Sequence, residues 1–400
     1  MNLIPLIIIL TSFLFPTFNA LLSIATYLKD KRLYITLFTG VPEQTISTSI
    51  NMDKPYSLFT SDTFNPQKSS TSKHIQSQTI EESENKFDVE VYEDNFKFAY
   101  VKASNNNYKY YHLSNPNETE STIMTKHYGL SLAYKSLNDE YSFIRHLYKN
   151  KFINKQTFAF KQYTAPPNTY LYFGTIPDKI IENSQIKGMC KILPRYTTWG
   201  CNLNSVVMNG FNWNFNKYAS FRINKSEYVF GCPLHNLILY NYLQSYLKDN
   251  RCKDVFKGKN KHKKYCECDK EIVDNELNKK MIGFSFGNFV KYVKLNTMFN
   301  CKDGEKQCLS LFKCVENQDE YIFNKDFILS SVTVFDYDKG SVEFYNEDDG
   351  SLKVVKNGIK GREEDNNSRE GVMLRKGICF VNSVMMSYMI LELCIRKFLK

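Results

Sequence analysis

Short runs of β-branched and alternating apolar residues recur along this chain, and they predict strands. Tyr34-Ile-Thr-Leu-Phe38 and Thr45-Ile-Ser-Thr-Ser-Ile50 flank Gly40-Val-Pro42, which is a hairpin signal. Lys86 to Tyr111 reads as further strands around a polar Asn105-Asn-Asn107 turn. Met281 to Leu295 and Ile328 to Tyr345 read as strands in the second half. Ser69 to Glu84 is rich in Ser, Thr and Glu and reads as an exposed loop. Helical spacing is confined to two places. Tyr141, Ile144, Leu147 and Tyr148 mark one helix, and Leu234 to Leu247, entered through Pro233, marks the other. The pattern predicts an all-β protein in two strand-rich units, residues 21–175 and 176–350.

The two ends of the chain read differently. Leu3 to Phe15 is apolar except for Pro5, Thr11 and Ser12, and it leads into Pro16-Thr-Phe-Asn-Ala20. Residues 1–20 therefore resemble a secretory signal peptide, although no Lys or Arg precedes the apolar run. A signal anchor is the competing reading. Residues 351–376 are polar and charged, as in a flexible stalk. Residues 377–395 are long enough to span a bilayer, with Glu392 as their single acid, and a basic tail, 396–400, follows. The alternative for 377–395 is an amphipathic helix on the protein surface.

Composition agrees with a secreted β protein of 400 residues. Aromatic residues make up 15% of the chain, a usage that strands favour and that an AT-rich genome would also produce. The formal charge of +10 is modest for this length, and the basic run Lys257 to Lys264 reads as a solvated loop rather than a nucleic-acid surface. All 11 cysteines lie at or beyond Cys190, nine of them between Cys190 and Cys314. An oxidising compartment would pair most of the nine and leave one over. Cys266-Glu-Cys268 is too closely spaced for a usual zinc knuckle, so no metal is expected. No cofactor is expected either. Asn117-Glu-Thr119 and Asn366-Asn-Ser368 are glycosylation sequons in loop-like contexts. Asn224-Lys-Ser226 is a third, in a segment expected to be buried.

Two segments read almost as copies: Met52-Asp53-Lys54-Pro55-Tyr56-Ser57-Leu58-Phe59 and Ile223-Asn224-Lys225-Ser226-Glu227-Tyr228-Val229-Phe230. Around them, in order, stand Leu37-Phe-Thr-Gly40-Val-Pro42-Glu-Gln44, Phe64-Asn-Pro66-Gln-Lys-Ser69-Ser70-Thr71, Leu130-Ser-Leu-Ala-Tyr-Lys-Ser136, Tyr172-Phe-Gly174, Trp199-Gly-Cys-Asn-Leu203, and Ile322-Phe-Asn324-Lys-Asp-Phe327 followed by Val334-Phe-Asp336. Together these segments resemble the pepsin-like aspartic peptidase family. The resemblance implies a bilobal fold with a cleft between two β-rich lobes, and one Asp-Thr-Gly loop from each lobe at the cleft floor. In the family two carboxylates share one proton, and they exchange the roles of general base and general acid.

Laid on this chain, the resemblance implies that the chemistry is broken. Asn224 stands where the second Asp would be, and an amide can donate a hydrogen bond but cannot release or regain a proton. Asp53 falls on the first catalytic position when the two segments are matched. Counting forward from Gly40-Val-Pro42 lands on Asn51 instead, and both registers stay open. Lys54 and Pro55 replace Thr and Gly in the first loop, and Lys225 and Ser226 replace them in the second. Ser131 and Asn324 replace the glycines behind the loops, and a Lys in place of Thr is expected to clash with the brace beneath the dyad. No Tyr-Gly flap is recognisable between residues 74 and 100, and no inhibitory propeptide is expected. The family pattern further implies that Cys268 pairs with Cys308 or Cys314; Cys252 with Cys266 and Cys190 with Cys201 are the remaining candidate pairs. The resulting expectation is a secreted or membrane-anchored monomer that holds a peptide or protein ligand without cleaving it. An active endopeptidase, with Asp62 or Glu227 as a substitute acid, is the alternative.

Overall fold

A computed structural model describes residues 22–354 apart from 30, 83–84, 98–106, 115, 117–127, 136–138, 164–168, 182–185, 194, 258–262, 317 and 347–351. The candidate signal peptide 1–20, span 377–395 and tail 396–400 lie outside the described residues, as do Asn117, Asn366 and nearly all of the stalk.

The protein is predominantly β and is built on a 13-stranded and a 12-stranded sheet. The larger sheet contains an antiparallel seam of strands from both halves of the chain. Its order is Ile186–Lys191, Ser341–Asn346, Val332–Asp336, Thr157–Gln162, Thr169–Phe173 and Leu22–Lys29. Val332–Asp336 meets Thr157–Gln162 at the middle, where Phe158 stacks on Phe335 with ring centroids 4.8 Å apart. Trp199 packs edge-on to both rings and is fully buried. Its indole N–H donates to Leu132 O at 2.6 Å, and the Tyr337 hydroxyl donates to Ala133 O at 2.7 Å. Those two bonds tie residues 132–133 of the first half to aromatic residues of the second.

Each half repeats one piece of topology. In the first, Gln44–Asn51 runs into a loop and then into Leu58–Thr60. Gln44–Asn51 pairs in parallel with Leu130–Ser131, and Leu58–Thr60 pairs in parallel with Asn107–Leu113. In the second, Phe211–Phe221 runs into a loop and then into Tyr228–Gly231. These two strands pair in parallel with Glu320–Phe323 and Phe312–Val315. Strands fix loop ends far better than coil does, so the two loops are held at both shoulders. Gly129 is required beside the first loop: a Cβ there would meet Ser49 O at 2.1 Å, and its own carbonyl accepts from Leu58 N.

Three readings of the sequence are corrected. Ser69–Glu84 is not a loop: Lys73–Glu82 is a strand that forms a long hairpin with Asn85–Lys97. Its polar residues are tolerated because the partner strand supplies Phe87, Val89 and Val91 to a cluster with Tyr56, Tyr111 and Tyr128. Ile328 does not begin a strand. Asn324 accepts from Phe327 N and starts a short helix, Lys325–Leu329, before the strand at Val332. The Leu234–Leu247 segment is helical but changes pitch, from α over Cys232–Ile238 to π over Leu239–Leu243 and back to α over Gln244–Lys248. It still buries Leu234, Ile238, Leu239 and Leu243 on one face.

Among the described residues the cysteines form four disulfides, Cys190–Cys201, Cys232–Cys314, Cys252–Cys268 and Cys301–Cys308. Cys268 thus pairs with Cys252 rather than with Cys308 or Cys314, and Cys252 does not pair with Cys266. Strand register decides this. Cys252 lies directly opposite Cys268, whereas Asp254 lies opposite Cys266. Cys266 is the unpaired thiol among the described residues and is buried. Four disulfides suggest an extracellular or secretory-pathway protein. Among the described residues, no helix is long and apolar enough to cross a membrane.

Candidate functional site

The two loops meet through their side chains. Asn224 Nδ2 donates to Asp53 Oδ1 at 3.0 Å, across 171 positions of sequence. Asp53, not Asn51, is therefore the first-loop residue that faces the second loop. Asn51 turns inward: its Oδ1 accepts from the backbone N–H of Asp53 at 2.8 Å and of Lys54 at 3.1 Å. An Asx-type turn of this kind holds the loop from within.

The other oxygen of Asp53 is also engaged. Arg222 donates to Oδ2 at 3.1 Å, and Lys225 Nζ stands 3.8 Å from it. Arg222 also donates to Glu320 at 2.7 Å and to Ser220 Oγ at 3.2 Å. The Asp53 side chain is 10% exposed and that of Arg222 15%, so this is a largely desolvated pair. Burial lowers the proton affinity of Lys225; Asp53 opposes that effect, and Arg222, Lys54 and Arg32 add to it. Arg222 and Glu320 had no place in the sequence reading. Their signal was faint: Arg222 lies two residues before Asn224, and Glu320 begins the strand paired with Phe211–Phe221.

Where the family resemblance would place glycines, side chains bridge the loops. Ser131 Oγ donates to Lys54 O at 2.5 Å, and Ser131 N donates to Ser57 Oγ at 2.8 Å. The Ser57 hydroxyl passes the chain to Tyr108, whose own hydroxyl donates to Tyr141 O. In the second loop Asn324 Nδ2 donates to Ser226 O at 3.1 Å. Pro55 and Ser226 lie within the loops and are half-buried. Lys225 does not disrupt the loop: its backbone N–H donates to Arg222 O and its carbonyl accepts from Lys325 N, which frees the side chain to reach toward Asp53.

The two substitute acids sit elsewhere. Glu227 is bound by Lys313 at 2.5 Å and by the Tyr265 hydroxyl. Asp62 is exposed on the turn after Leu58–Thr60. Asn224 itself is 7% exposed, which leaves its sequon poorly placed for a glycan.

Chemically, the loop pair offers one carboxylate whose two oxygens are both held by donors, one amide, and two cations. A second carboxyl to share and exchange a proton is missing from this contact.

A second cluster gathers sulfur. The Sγ atoms of Cys252, Cys266 and Cys268 lie within 4.8 Å of one another. Two of them are spent in a disulfide, and burial pushes the Cys266 thiol up to about 12, so the set offers no thiolate near neutral pH.

No protein-family model matches this chain, and no curated protein matches it in sequence.

Proposed function

We propose that this protein is a pepsin-like aspartic peptidase in architecture that has lost the chemistry, and that it binds a peptide or protein segment in the cleft between its two lobes. The observation that carries the reading is the Asp53–Asn224 contact at 3.0 Å with Arg222 on the opposite oxygen. The repeated strand–loop–strand topology and the antiparallel seam built from both halves support the architectural part. The ordered family-like segments quoted above support it from the sequence side.

The loss of chemistry follows from proton bookkeeping. Peptide hydrolysis by a carboxyl pair needs one group to take a proton from water and another to give one to the carbonyl. Asn224 cannot give a proton, and Asp53 is engaged by Arg222. A cleft that once held an extended chain keeps its strand-like hydrogen bonding without that exchange. The test is incubation of the purified secreted chain with denatured globin from roughly pH 3 to 6, with and without pepstatin, the range where a carboxyl dyad works. The expected result is an intact substrate. Pepstatin-sensitive cleavage that Asp53→Ala abolishes would overturn the reading in favour of an active endopeptidase.

A further inference from the structure

The loop pair leaves two hydrogen-bonding groups with capacity to spare. Asn224 spends its amide nitrogen on Asp53, while its Oδ1 is buried and has no hydrogen-bond partner among the described residues. A buried acceptor of this kind is costly unless a donor arrives. Lys225 is the complementary case. Its ammonium stands 3.8 Å from Asp53 Oδ2, beyond hydrogen-bond reach, so its donors are not spent there. The Lys225 side chain is 29% exposed, and an incoming group can reach it.

Charge points the same way. Arg222 matches Asp53 at 3.1 Å and Glu320 at 2.7 Å at once. Lys225, Lys54 and Arg32 lie close enough to one another's field to disfavour the charge on Lys225. Arg222, Lys54 and Arg32 thus all act against the charge on Lys225, and Asp53 acts for it. An approaching anion would relieve the crowding of like charge, and a cation would worsen it.

We propose that the bound segment presents a carboxylate to Lys225 and an adjacent N–H to Asn224 Oδ1, so that the site selects acidic peptides. This rests on the peptide-binding reading above and gives it a ligand class. A C-terminal carboxylate and an Asp or Glu side chain share this chemistry.

The test uses the full-length chain and fluorescently labelled extended peptides of one sequence framework. One has a free C-terminus and neutral side chains, one an amidated C-terminus and an internal Glu, one is amidated and neutral, and one is amidated with an internal Lys. Anisotropy titration at low salt should give one or both acidic peptides roughly tenfold tighter binding than the neutral one, about one good charge-assisted contact. Which acidic peptide wins identifies the source of the carboxylate. Lys225→Met should erase the preference while leaving the neutral peptide bound, and Lys225→Arg should retain it. Equal binding of neutral and acidic peptides, or a preference that survives Lys225→Met, would overturn the proposal and leave peptide binding standing. Failure of every peptide to bind would overturn both.

Discussion

The loop around Asp53 and the loop around Asn224 both run between parallel-paired strands, yet they bring different groups to the contact. The first brings one acid to the contact. The second brings an amide and two cations, Arg222 and Lys225. Their braces differ as well. The first is held from within by Asn51 and from behind by Ser131, the second from behind by Asn324. The lesson is that two loops can be held to the same contact by quite different side chains. Hydrogen-bonding side chains do the holding where the family resemblance would place glycines.

The halves around these loops also differ, and the largest predicted effect exploits that. All four disulfides lie at or beyond Cys190. Cys232–Cys314 closes 82 positions, so its removal by paired Ser substitutions should cost roughly 4 kcal/mol through the unfolded state. Limited proteolysis should then find new cuts in the second half first; new cuts confined to the first half would contradict the contrast.

Acid comes next and strikes both halves. His146 and His235 are buried, one in each half, and burial pushes both imidazoles down to about 4. The folded pKa lies below the unfolded value of 6.5, so the unfolded chain takes up protons first as the pH falls. Stability is therefore whole above about pH 6.5 and drains away between roughly 6.5 and 4, by up to roughly 3 kcal/mol per histidine. Urea midpoints across that window check it. His235→Phe should flatten the slope, because neither ring nitrogen has a hydrogen-bond partner of good geometry among the described residues and little bonding is lost.

Within the loop pair, Asp53 is the hub and its removal should cost the most. Asp53→Ala leaves Asn224 and Arg222 without their common acceptor and should cost about 2 kcal/mol, moderated by Glu320, which still holds Arg222. Lys225→Met should cost under about 1 kcal/mol, since a cation at 3.8 Å contributes little. Urea titrations at constant slope give both values. If Lys225→Met cost more than Asp53→Ala, the acid would not be the hub.

The strand-rich character and the two matching loops were legible in the sequence, because burial of alternate residues leaves a period and the loops share residue types. Strand pairing was not. The Lys73–Glu82 strand hides behind Ser, Gln and Thr because its apolar partners, Phe87, Val89 and Val91, lie on the other side of the hairpin. Cys190–Cys201 forms as expected, but the pairings of Cys252 and Cys268 were misread, because Cys266 and Cys268 face different partners and only register distinguishes them. The choice between Asp53 and Asn51 needed the long-range contact to Asn224. Arg222 escaped notice for the same reason, since its partners Asp53 and Glu320 are 169 and 98 positions away.

The central proposal is that the Asp53–Asn224 contact does not perform acid–base catalysis. Its most direct measurement is turnover of a quenched fluorogenic peptide library from roughly pH 3 to 6 by the wild type, Asp53→Ala and Asn224→Asp. The account predicts background rates for all three, because restoring the second carboxylate leaves Arg222 and Lys225 on the first. Wild-type turnover that disappears in Asp53→Ala would contradict it.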